Sequence, residues 1–242
     1  MLISIPALAD NGRIEKGYSS PEDAFKAYFE AFQKNDVSGM IETFAIESYV
    51  ENTDARAYVE GRGGINPLYE MESIPVSNDY IRDLQYTLRQ NKIAEDIYQQ
   101  YLMYSWYFGG MDDNCTPFNS FRMDNGGVDR YMEVFSGNGF PESVRRAEFI
   151  RFMDRDEVVT EEVMEKARLN LLRRSGIGTD DICFMIVLIE INGEEYVQCM
   201  DCVKYGKRWY NLRANGNMAM MCSLSSYMGG LMPLSFEPDI AF

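Results

Sequence analysis

Asp201 is the residue of this chain whose neighbours best suit proton transfer. It lies in the run Glu195–Lys204, where two-residue alternation sets Val197, Cys199, Asp201 and Val203 on one face of a strand. A carboxylate among apolar neighbours has its charged form desolvated and its pKa raised, as a general base working near neutrality requires. The plainer account makes this the outer face of the sheet, or has a bulge turn Asp201 to water. That account is preferred.

Other chemistry is thinner. Cys199-Met200-Asp201-Cys202 has the spacing of a redox or zinc half-site, but residues three apart in a strand point to opposite faces. With no second such pair and no histidine in the chain, both read as core cysteines. Met218, Met220, Met221 and Cys222, with Met228 and Met232 beyond, are soft ligands of the kind Cu(I) takes, but an adaptable apolar tail packing on the body is the preferred account. Asp112-Asp113-Asn114 and Asp124–Asp129 lack the spacing of a calcium loop, and Gly61-Arg62-Gly63-Gly64 lacks the frame of a phosphate loop. No metal site and no cofactor are expected.

Composition excludes more than the motifs offer. The absence of histidine removes Ser-His-Asp and Cys-His nucleophile pairs and every His-ligated metal. Any general acid or base must be Asp, Glu, Tyr, Lys or Cys. A net charge of -15 repels phosphate backbones, so nucleic acid is not an expected partner. No run reaches the ~18 apolar residues of a membrane span. The cysteines, 5 in number, are odd in count and irregular in spacing, which is no disulfide framework; one or two bridges stay open if the chain is exported. Ala7-Leu8-Ala9 before Asp10 has the small-residue pattern of a signal-peptidase site. Residues 1–17 therefore read either as a signal-peptide remnant, with an extracellular or cell-envelope destination, or as an N-terminal strand of a cytoplasmic protein.

The elements follow from periodicity and punctuation. Ser20-Pro21-Glu22-Asp23 is a helix start, and Phe25, Tyr28, Phe29 and Phe32 follow on one face. Lys34-Asn35-Asp36 breaks that helix, and a second short one carries Met40, Ile41 and Phe44. Residues 53–76 read as loop with at most one short strand, because of Gly61, Gly63, Gly64, Pro67 and Pro75. Residues 78–108 lack Pro and Gly and predict one long or two abutting helices. Val144–Phe152 reads as a strand, and Thr160 caps a helix that Gly176 ends. Residues 182–212 then form a three-stranded antiparallel meander, turning at Asn192-Gly193 and at Tyr205-Gly206-Lys207.

Ser20-Pro21-Glu22-Asp23-Ala24-Phe25 with Lys34-Asn35-Asp36, and the closing Val203-Lys204-Tyr205-Gly206-Lys207-Arg208-Trp209-Tyr210, resemble the NTF2-like superfamily, in particular its exported bacterial domains. The resemblance implies an α+β fold: a helical hairpin on a curved antiparallel sheet, with a cone-shaped pocket between them. The core would be residues 18–52 and 142–214, residues 53–141 a mostly helical insertion that fills or roofs the pocket, and residues 215–242 a Met-rich tail. Tyr28, Phe32, Tyr196 and Trp209 would line the pocket. Enzymes of the superfamily use an Asp base with Tyr donors, a role Asp201 would take with Tyr28 or Tyr196. The fold hosts many functions. The expectation is a non-catalytic exported module binding a small ligand, peptide or protein, with a homodimer open. The alternatives are an isomerase or dehydratase using Asp201, and a structural or interaction domain that fills its own pocket.

Overall fold

Asn192 and Gly193 take φ of 56° and 81°, the two positive angles that a type I′ turn demands. That turn belongs to a computed structural model that describes residues 15–62, 79–108, 142–154, 176–214 and 231–234, with positions 129, 132, 165 and 169. The sheet is antiparallel throughout: β1 (Glu148–Phe152), β2 (Asp181–Ile191), β3 (Glu194–Tyr205), β4 (Arg208–Arg213) and β5 (Leu231–Pro233). Its order is β1-β2-β3-β4, and β5 shares the outer edge of β3 with β4. The β2–β3 ladder runs unbroken from Ile191↔Glu194 to Asp181↔Lys204. Gly206, at φ 60°, makes the second turn, and Asp180 Oδ2 accepts from its amide at 2.6 Å.

The helical layer starts where the capping signals place it. α1 (Pro21–Gln33) opens on Ser20, whose Oγ accepts from Asp23 N at 3.1 Å. α2 (Val37–Glu42) opens on Asp36, whose carboxylate accepts from Gly39 N at 3.0 Å; Phe44 lies just past its end, in an isolated bridge with Asn211. α3 (Glu47–Asn52) and α4 (Ala55–Arg62) follow. Over Ala55–Arg62, α4 replaces the start of the loop expected over residues 53–76. Asp54 Oδ1 accepts from Ala57 N at 3.0 Å and starts a helix ahead of the glycine cluster that signalled a loop. After a 3-10 turn (Asp79–Ile81), α5 (Arg82–Phe108) runs 27 residues, the single long helix among the two expected forms. The strand expected from Val144 begins only at Glu148, because α6 (Glu142–Arg145) takes up the first residues.

The fold is therefore α+β, a helical layer against an antiparallel sheet. Alternation along β2 and β3 splits the interior in two. Cys183, Met185, Val187, Ile189, Tyr196, Met200 and Cys202 join Phe25, Tyr28, Phe29 and Phe32 of α1 and Ile93, Ile97 and Tyr104 of α5. Ile182, Phe184, Ile186, Val197, Cys199 and Val203 form a second cluster on the opposite face, with Tyr205, Tyr210 and Leu212. Burial of both faces explains why these strands read as almost continuous apolar runs. No helix among the described residues is long and apolar enough to cross a membrane. The expectations at Ala7-Leu8-Ala9, Asp112–Asn114, Asp124–Val128, Thr160 and Met218–Met228 lie outside the described residues.

Candidate functional site

Between α1, α5 and the sheet lies a buried polar network bounded by aromatic rings. Tyr28, on the inner face of α1, donates its hydroxyl hydrogen to Gln100 Oε1 of α5. Gln100 Nε2 donates in turn to the carbonyl oxygen of Ala214, just past β4, at 3.2 Å. Gln198, from the helix-facing side of β3, donates to that same oxygen at 3.4 Å and accepts from Tyr104 of α5 at 3.0 Å. One hydrogen-bonded circuit therefore ties two helices to two strands. Burial pushes the phenols of Tyr28 and Tyr104 far up, so both remain neutral donors.

Rings close the space around this circuit. Phe32 stacks on Tyr101 at 5.1 Å and meets Tyr104 at 4.8 Å, while Tyr28 meets Phe44 edge-on at 5.5 Å. The aromatic residues of α5 thus occupy the room beside Phe32. About three turns further toward its N-terminus, α5 carries Arg89, which donates to the carbonyls of Ala45 (3.0 Å) and Leu212 (2.7 Å) with its guanidinium 4.4 Å over the Tyr49 ring. Asp96 is buried near these groups, with Lys92 Nζ 3.4 Å from Oδ1. Desolvation raises its pKa, and the charges of Lys92, Arg89 and Arg213 oppose that rise.

The residues singled out from the sequence do not converge. Tyr28 and Phe32 belong to the circuit and its walls. Tyr196 is buried at the hairpin end of β3, where its hydroxyl donates to Glu194 at 2.9 Å. Trp209 is half-buried on β4, its backbone bridged to Tyr18 and the Lys204 ammonium 5.7 Å over its ring. Asp201 is fully buried, flanked along β3 by the second-cluster residues Cys199 and Val203. The pairing of β3 with β4 shifts register between Asp201 and Cys202, so the bulge is present; it delivers Asp201 to Arg213 (3.1 Å), not to water. Cys199 and Cys202 lie in opposite clusters, as strand geometry requires.

Gln100, Gln198, Tyr104, Arg89 and Asp96 were not marked by any motif. A signal for them existed in α5: Arg89, Asp96 and Gln100 share the helical stripe of Ile93, Ile97 and Tyr104, so polar residues stand at core positions. Among the described residues no group of three or more Cys, Asp or Glu side chains converges as a metal would need.

The chain is similar to one solved structure, a cystatin-like protein from Ruminococcus gnavus ATCC 29149, at 14% identity and a TM-score of 0.49. The match covers 92% of this chain and 42% of that one, so this chain spans less than half of that protein's length. No family model and no curated protein matches the sequence.

Proposed function

We propose that this chain is a non-catalytic, exported binding module that closes its interior with its own helix and binds on the outside, with a second copy of itself as partner. One observation carries this reading: α5 has two faces of opposite use. Its inner face places Arg89, Ile93, Asp96, Gln100 and Tyr104 against the sheet, where the NTF2-like resemblance would put a ligand. Its outer side, continued into the 3-10 turn, presents Tyr80, Leu84, Leu88 and Tyr98 at 95%, 55%, 53% and 61% exposure. At about 100° per residue these four fall within an arc of about 80°, opposite the inner stripe.

Leu84, Leu88, Asn91, Glu95 and Tyr98 follow the alternating four-and-three spacing of a coiled-coil seam. Two α5 helices crossing antiparallel between Leu84 and Leu88 set each Leu84 against its partner's Leu88, the self-complementarity a twofold interface needs. Tyr80, Leu84 and Leu88 lie on successive turns as an exposed apolar strip, flanked by the polar Asn91 and Glu95, and exposed apolar patches with a polar rim mark interaction surfaces. Export rests on Ala7-Leu8-Ala9. The Asp201–Arg213 pair supports a structural charge at the position considered for a general base.

Sedimentation velocity on the full chain tests the proposal. Dimerisation that strengthens with salt, as a chain of charge -15 requires, and that is lost in Leu84→Ser/Leu88→Ser, is expected. A monomer at every concentration and salt overturns it.

A further inference from the structure

Cys183 and Cys202 stand directly opposite each other on β2 and β3. The two-residue turn makes Ile191↔Glu194 a pair that exchanges both backbone hydrogen bonds, and stepping by two along the unbroken ladder makes Cys183↔Cys202 another. Such a pair has its Cα atoms about 5.5 Å apart, inside the range of roughly 4.4–6.8 Å that a disulfide spans, but its Cβ atoms stand at the wide end of the cross-strand range, about 5.5 Å, so closing the bond must draw the two strands together and leaves it strained and readily reduced. Cross-strand partners share a face, and both cysteines belong to the helix-facing cluster. Both are thiols here, with Cys183 Sγ 3.5 Å from Met185 Sδ and Cys202 Sγ 3.4 Å from Asn211 Oδ1. Cys199 lies on the other face and cannot substitute for either.

We propose that Cys183 and Cys202 are a disulfide-forming pair, closed by exchange with a small-molecule disulfide. One thiolate attacks a sulfur of the oxidant and expels the first small thiolate. The second cysteine thiolate then attacks the mixed disulfide, forming the Cys183–Cys202 bond and expelling the second small thiolate. Two electrons pass to the oxidant, and the protons lost by the two cysteines are taken up by the two leaving thiolates. Burial pushes the Cys202 thiol well up, so exchange is slow in the closed protein and proceeds while the β2–β3 ladder is open, during folding or local opening.

The experiment refolds the full chain from denaturant with oxidised and reduced glutathione, caps remaining thiols by alkylation and maps the digested peptides by mass. The expected product joins the Cys183 and Cys202 peptides, lighter than their thiol forms by two hydrogens, and dithiothreitol reverses it. Closing the loop of roughly 20 residues between them restricts the unfolded chain, and strain in the folded state offsets part of that gain, so Tm rises by about 1–3 degrees relative to the reduced chain. That rise persists in Cys199→Ala and vanishes in Cys183→Ala/Cys202→Ala. Peptide mapping of the unmodified sequence keeps the test valid if a variant fails to fold. Alkylated Cys183 and Cys202 after oxidative refolding, or their linkage to Cys115, Cys199 or Cys222, overturns the proposal.

Discussion

Gln100 of α5 and Gln198 of β3 donate to one acceptor, the carbonyl oxygen of Ala214, at 3.2 and 3.4 Å. The shared acceptor makes the position of the long helix depend on the end of β4, and each glutamine also receives a tyrosine hydroxyl. Buried polar circuits of this kind are strong when complete and costly when cut, because every member is out of reach of water.

Cutting the circuit at its strand side is therefore expected to destabilise. Gln198→Leu removes the acceptor of the Tyr104 hydroxyl and one donor to Ala214, with an expected loss of about 1–3 kcal/mol. Tyr104→Phe removes a single hydroxyl and costs about 1 kcal/mol. In the double variant the two losses should fall short of their sum by about 0.5–1.5 kcal/mol, the coupling of their shared bond. Urea denaturation of the four proteins measures it; simple additivity would show that the two side chains do not act together.

Asp201 and Arg213 form an ion pair of unequal burial: the carboxylate side chain is 0% exposed and the guanidinium side chain 34%. The partner left behind therefore decides the cost. Arg213→Met strands a charge in the interior and is expected to cost about 3–5 kcal/mol. Asp201→Asn leaves a guanidinium that water can reach, and should cost only about 1–2 kcal/mol. Equal losses in urea denaturation would mean that the arginine is as dependent on the pair as the aspartate.

The parts of the fold readable in advance were those governed by neighbouring residues. Asn192-Gly193 specified its turn, and Ser20-Pro21 and Asp36 specified two helix starts, because each acts through its own backbone. The inward-facing role of Gln100 and Gln198 was hidden, since a polar residue in an amphipathic pattern reads as solvent-facing unless its distant partner is known. Asp201 shows the same limit. Alternation assigned its neighbours along the strand correctly, but not Arg213, which a register shift in a different strand brings to it. Leu84 and Leu88 stand one helical turn apart in the predicted helix and yet face water, because an apolar spacing identifies a stripe and not what covers it.

Asp96 gives the protein a pH dependence of definite sign. Its folded pKa is raised by burial, against the opposing charges of Lys92, Arg89 and Arg213, so the folded state holds its proton more tightly than the unfolded chain does. Stability is then greatest below the unfolded carboxyl value and falls as pH rises through the window up to the folded value. Glu15, also raised mainly by burial, contributes in the same direction. Asp96→Asn should flatten part of the decline and match or exceed the parent at neutral pH. Urea midpoints from pH 4 to 7 for both proteins decide it; an unchanged slope would remove Asp96 as a source.

Gly193 and Gly178 both take positive φ, at 81° and 60°, but for different reasons, and alanine should separate them. A Cβ on Gly193 would meet nothing within 4 Å, so Gly193→Ala bears only the backbone strain of a left-handed residue, about 1–2 kcal/mol. A Cβ on Gly178 would stand 2.0 Å from the Asn52 carbonyl oxygen, a backbone atom that cannot swing aside. Gly178→Ala must also push the end of α3 away from the start of β2, and is expected to exceed the Gly193 cost by about 2 kcal/mol or more. Thermal unfolding of the two variants compares them directly. Equal shifts in Tm would mean that the chain before β2 can draw back from α3, and that the close approach at Asn52 is not fixed by packing.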